Sequence, residues 1–137
     1  MGRVLAIDYG KRRIGLAISD ELKIISKPFG VIDVKEHDNV FLKISDIVIE
    51  RSVDEIIVGY PKTLKDKKSS ITIEVEGFID ELSAYVSTPI VSMDERLTSK
   101  LAQRILVEHG HDTGRDKGAI DEISAAIILS DYLDSKS

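Results

Sequence analysis

Residues 4–19 read Val-Leu-Ala-Ile-Asp-Tyr-Gly-Lys-Arg-Arg-Ile-Gly-Leu-Ala-Ile-Ser. One acid, Asp8, closes an apolar run. A glycine-bearing basic turn follows at once, and then a second apolar run. Two short apolar runs joined in this way predict a β-hairpin with strands over Arg3–Asp8 and Ile14–Ser19. A carboxylate in the last position of a buried strand is costly unless something pairs it. A divalent cation gripping phosphate is the usual partner when basic residues sit in the next loop.

Beyond the hairpin, a third strand is expected over about Pro28–Val34. Phe41, Ile44, Ile47 and Val48 then recur at helical spacing, which predicts an amphipathic helix over 39–51. Glu55–Tyr60 reads as a buried strand whose Ile-Ile-Val run stops at Gly59 and Pro61. The lysine-rich stretch Pro61–Ser70 reads as a mobile basic lid, followed by helical spacing at Ile71, Val75, Phe78, Ile79 and Leu82. Pro89–Met93 gives another short strand, ending in Asp94-Glu95. Thr98 or Ser99 can cap a further helix that closes at Gly110. Gly110–Gly118 is a second loop, and Ile120–Leu133 the last helix.

This order describes a mixed sheet: an antiparallel hairpin-meander half, then strands joined by helices long enough for parallel crossovers, with helices on both faces. Ligands of such sheets bind beyond the carboxyl ends of the strands, near the switch in strand order. Asp8 and Asp94-Glu95 would meet there.

The chain has 137 residues, 42% hydrophobic, which fits a single domain over 1–137 with a real core. It has no cysteine, which excludes disulfides, thiolate zinc sites and cysteine nucleophiles. A strand begins at Arg3 where a leader would lie, and no apolar stretch approaches the roughly 18 residues that cross a bilayer. A soluble, cytoplasmic protein is expected. The net charge of −5 argues at face value against a nucleic-acid binder. Yet the cations cluster in Lys11-Arg12-Arg13, in Lys62, Lys65, Lys67 and Lys68, at Arg96, and in Arg115 and Lys117. Gathered on one face, they would make a basic surface on an acidic body, and scattered they are solvated loops. His37, His109 and His111 have no metal-ligand spacing. Tyr9 and Tyr60 lie just past strand ends, where packing or positioning is expected of them.

Four motifs now stand in order: Asp8-Tyr9-Gly10 through Arg13-Ile14-Gly15-Leu16-Ala17; Gly59-Tyr60-Pro61; Asp94-Glu95-Arg96-Leu97-Thr98-Ser99; and Lys117 with Ile120-Asp121 and Ser124-Ala125-Ala126-Ile127-Ile128-Leu129. Together they resemble the YqgF family, also called RuvX, over nearly the whole chain. That family is a bacterial branch of the ribonuclease H-like fold, related to Holliday junction resolvases, to which maturation of the 5′ end of pre-16S ribosomal RNA is ascribed. The resemblance implies a mixed five-stranded sheet, three strands antiparallel and then two parallel, and a divalent-metal nuclease site built from Asp8, Glu95 and Asp121. Mg²⁺ and Mn²⁺ both prefer such carboxylate oxygens, and a pair of ions could activate a water and stabilise the leaving oxygen of a phosphodiester. Arg96 would steady the scissile phosphate, and Lys11, Arg12, Arg13 and Lys117 would contact backbone phosphates.

Each residue also has an ordinary explanation. Asp8 could be a turn acid, Asp94 and Glu95 helix-start acids, and Arg96 the ion-pair partner of Asp94 or Asp121. Strand alternation sends Asp94 and Glu95 to opposite faces; the resemblance favours Glu95. Glu122 rivals Asp121, which the family motif favours. The expected substrate is precursor ribosomal RNA, cut by a monomer or homodimer. A resolvase of branched DNA and an idle RNA-binding assembly factor are the alternatives. An ATP-binding module related to actin-like ATPases is a weaker one, since those sites need two domains. The lid departs from the family pattern, carrying Lys65-Asp66-Lys67-Lys68 where a glycine is common, which bears on substrate choice.

Overall fold

The computed structural model describes residues 2–60, 70–94 and 117–136. In chain order the elements are strands β1 (Arg3–Asp8), β2 (Arg13–Ser19) and β3 (Ser26–Asp33), helix α1 (Val40–Glu50), strand β4 (Val53–Tyr60), helix α2 (Ser70–Leu82), strand β5 (Ile90–Asp94) and helix α3 (Lys117–Lys136). The five strands form one sheet in the order β3-β2-β1-β4-β5. β1 pairs antiparallel with β2, and β2 with β3. β1 pairs parallel with β4, and β4 with β5. The expected mixed sheet is the one found.

Strand β1 lies in the middle, flanked by β2 and β4, and is buried from Val4 to Asp8. That is why its sequence is a continuous apolar run instead of an alternating one. Its odd positions Leu5 and Ile7 join Ile14, Leu16 and Ile18 of β2 under α1 and α2, through Ile44, Ile47, Val75, Phe78 and Leu82. Its even positions Val4 and Ala6 join Ala17 and Ile57 under α3, through Ala125, Ile128, Leu129, Tyr132 and Leu133. Helices therefore cover both faces, each over its own apolar cluster.

Local chemistry sets the ends of the elements. Asn39 accepts hydrogen bonds from the amides of Phe41 and Leu42 at 3.0 and 3.2 Å, capping α1 where the sequence places its start. β3 begins two residues earlier than expected, at Ser26. Pro28 is tolerated within it because β3 is an edge strand, where a missing N–H need break no ladder bond. Helix α3 likewise starts at Lys117, so Lys117 and Gly118 belong to its first turn and not to the preceding loop. A short 3-10 turn at Val34–Glu36 was not foreseen. The basic lid over 61–69, the helix expected after Thr98 or Ser99, and the loop from Gly110 lie outside the described residues. Among the described residues, no helix is long and apolar enough to cross a membrane.

Candidate active site

The site begins with the parity of β1. Val4 and Ala6 face α3, so Asp8, two residues further on, faces α3 as well. It is only 8% exposed. Its lateral neighbours across the sheet are both glycines, Gly15 on β2 and Gly59 on β4. Residues paired across strands point to the same face, so the carboxylate has no side chain on either flank.

Helix α3 exploits one of these gaps. A Cβ added at Gly15 would collide with the backbone carbonyl of Asp121 and press on the amide of Glu122. The bare glycine lets the second turn of α3 rest directly on the strand, beside Asp8. Asp121 continues the buried line of Ala125, Ile128 and Tyr132 at steps of four, seven and eleven residues. The structure thus brings together two of the three acids expected to form the site, Asp8 and Asp121.

Asp121 is held by Arg13, the first residue of β2, whose Nε donates to Oδ2 at 2.9 Å. Burial pushes the Asp121 carboxyl above its ordinary pKa, and the hydrogen bond and charge of Arg13 pull it back only in part. Burial also raises Glu122, the rival on the same turn. A carboxylate whose desolvation exceeds what its one cationic partner returns has room for a stronger positive charge. Hard oxygen donors on Asp8 and Asp121, facing the same side of the sheet, suit Mg²⁺ or Mn²⁺. Among the described residues, no three acids or histidines stand close enough to hold a metal by themselves. Asp94 ends β5 opposite Tyr60, while Glu95 and Arg96 lie outside the described residues.

The hairpin cations are engaged. Lys11 Nζ lies 3.4 Å from Glu74 Oε1, and Arg12 Nε lies 3.8 Å from Asp33 Oδ1. Both cations are more than half exposed, so these pairs are weak. Glu74 was not foreseen. Besides Lys11, it takes a hydrogen bond from the Tyr9 phenol, which burial first and Glu74 second hold above its ordinary pKa. Tyr9 also packs on Phe78, with ring centroids 5.0 Å apart. The available signal was that Glu74 stands four residues before the core residue Phe78, and so on its side of α2.

A family model, RuvX, described as a Holliday junction resolvase, matches residues 2–135. The chain belongs to the RuvX family. A RuvX relative from Porphyromonas gingivalis, named "Putative pre-16S rRNA nuclease", is 42% identical over 139 residues, covering 98% of each chain. One of the same name from Dictyoglomus turgidum is 39% identical over 136 residues, 98% of this chain and 96% of the relative. The RuvX fold is also that of solved resolvases. Thermus thermophilus RuvC in complex with Holliday junction substrate superposes with a TM-score of 0.59, at 11% identity, over 99% of this chain and 96% of that one. The fowlpox virus resolvase with its junction DNA gives 0.57, at 15% identity, over 98% of each. Such identities speak for the fold alone.

Proposed function

We propose that this chain is a divalent-metal-dependent nuclease that hydrolyses phosphodiester bonds in precursor 16S ribosomal RNA. The observation that carries the reading is the meeting of Asp8 and Asp121 on one face of the sheet, made possible by the bare Gly15. The names of the full-length relatives support the substrate.

In this reading Asp8, Glu95 and Asp121 hold Mg²⁺ or Mn²⁺. Glu95 enters this set through the family motif, two residues after Met93, which packs on the α3 face. The metal supplies, when bound, an activated water and a counter-charge for the leaving oxygen. The chain's own residues do the rest. Asp8 fixes one edge of the site because its strand is laddered on both sides. Asp121 closes it from above because α3 is pinned at Gly15. Lys11 and Arg12, carried on the adjoining turn, can exchange their carboxylate partners for the phosphates flanking the scissile bond, giving affinity with little sequence choice. Arg96 and Lys117 would add to the same track.

The second reading, a resolvase of branched DNA, is favoured by the description of the family model and by the shared fold. It would require two sites related by symmetry, hence a dimer. The test is to incubate the protein and its Asp8→Asn variant with a pre-16S leader RNA and with a four-way DNA junction, in Mn²⁺, Mg²⁺ or EDTA. Cleavage of the RNA that needs metal and falls on the order of a thousandfold in Asp8→Asn is expected. Junction-only cleavage would favour the resolvase. Tight RNA binding with no cleavage in any metal would point to an assembly factor.

A further inference from the structure

We propose that Arg13 is an internal counterion of the metal site: it neutralises Asp121 while the site is metal-free and is displaced toward the nucleic-acid phosphate when a divalent ion binds. This inference rests on the metal-dependent reading above.

Arg13 stands two residues before Gly15 on β2, so its side chain leaves the sheet on the face that carries Asp8 and Asp121. The contact at 2.9 Å occupies Oδ2 of Asp121, one of the two oxygens this carboxylate could offer a metal. The helix itself cannot move closer to make room for both. Its backbone at Asp121 is seated on Gly15, with no room for adjustment on the strand side. The choice between Arg13 and a metal is therefore made by side-chain rotation. The pair is built for that, because Arg13 is 33% and Asp121 25% exposed, so the guanidinium is in contact with solvent. A guanidinium freed here stays at the start of β2 on the α3 face, next in sequence to Arg12. There it presents a planar fork that can take phosphate through two hydrogen bonds. One cation thus serves two anions in succession, and the carboxylate is at no stage left bare.

The alternative is that Arg13 is only a clamp between the hairpin and α3. A clamp and a competitor differ in sign. Removing a clamp loosens Asp121 and weakens metal binding, whereas removing a competitor tightens it. The experiment is calorimetric titration of Mn²⁺ into wild type, Arg13→Gln, Arg13→Lys and Asp121→Asn, without nucleic acid. Arg13→Gln should bind Mn²⁺ about two- to fivefold more tightly than wild type, the range that a partly exposed ion pair allows. Arg13→Lys should fall between the two, and Asp121→Asn should lose most of the affinity. RNA binding measured in Ca²⁺ should show a salt dependence shallower by about one phosphate contact in Arg13→Gln. Unchanged or weaker Mn²⁺ binding in Arg13→Gln overturns the proposal. If that variant does not fold, Arg13→Lys decides, since a competitor still predicts tighter binding than wild type. Failure of wild type itself to bind Mn²⁺ would overturn the metal reading, a result distinct from a bound metal that is indifferent to Arg13.

Discussion

The two faces of the sheet are built from different residue sizes. Under α1 and α2 the strands present Leu5, Ile7, Ile14, Leu16, Ile18 and Ile32, met by Ile44, Phe78 and Leu82. Under α3 the same strands present Val4, Ala6, Gly15, Ala17, Ile57 and Gly59, met by Ala125, Ile128, Leu129, Tyr132 and Leu133. The first face is a thick apolar layer that stabilises the domain. The second is thin at the end near Asp8, around Gly15, Gly59 and Ala125, so a helix can lie close enough there to bring its own acid to the acid of the central strand. Bulk provides stability on one side, and its absence provides geometry on the other.

That contrast can be broken by mutation. Leu82 is fully buried in the thick layer, and Leu82→Ala should lower stability by roughly 2–5 kcal/mol in urea unfolding while leaving the cleavage rate per folded molecule unchanged. A large loss of rate in the folded fraction would mean that the two faces are not separable. Gly15→Ala adds a single carbon to the thin face, where the Asp121 carbonyl already occupies the space. It should lower stability by about 1–3 kcal/mol and reduce cleavage beyond what unfolding explains, because α3 must lift and take Asp121 with it. Full activity in that variant would show that the close seat of the helix does not set the site.

The smallest effect concerns the far end of the same helix. Burial first, and a hydrogen bond and charge interaction with Glu55 second, push the Tyr132 phenol up to about 12 from an ordinary 10.0. The folded chain therefore holds this proton more tightly than the unfolded one. The associated stability is present below pH 10 and is lost as pH rises toward 12. Tyr132→Phe should lower stability at pH 7 by under about 1 kcal/mol and flatten its decline between pH 10 and 12. An unchanged alkaline decline would place the sensitivity elsewhere.

Much of this was legible in the sequence, and the rest was hidden for physical reasons. The continuous apolar run of β1 and the terminal position of Asp8 follow from burial on both faces, which leaves a direct trace in composition. The parity that aims Asp8 at α3 follows from strand geometry, and the motifs carried the family. The Arg13–Asp121 pair left no trace, because its partners are 108 residues apart and neither is unusual where it stands. Arg13 was expected to meet phosphate; among the described residues it is the partner of Asp121, and Arg96 lies outside them. The early start of α3 was masked by Lys117 and Gly118, residues that read as loop until the helix has a sheet to rest on.

The seating of α3 on Gly15 also governs when the two acids can meet during synthesis. Strands β1 and β2 can form their hairpin as soon as they leave the ribosome, but Asp121 and the helix that carries it are translated more than a hundred residues later. Until then the thin face is uncovered, Asp8 stands in water, and Arg13 has no carboxylate on α3 to hold. Asp8 and Asp121 can therefore come together only in a late docking event, once α3 has been made.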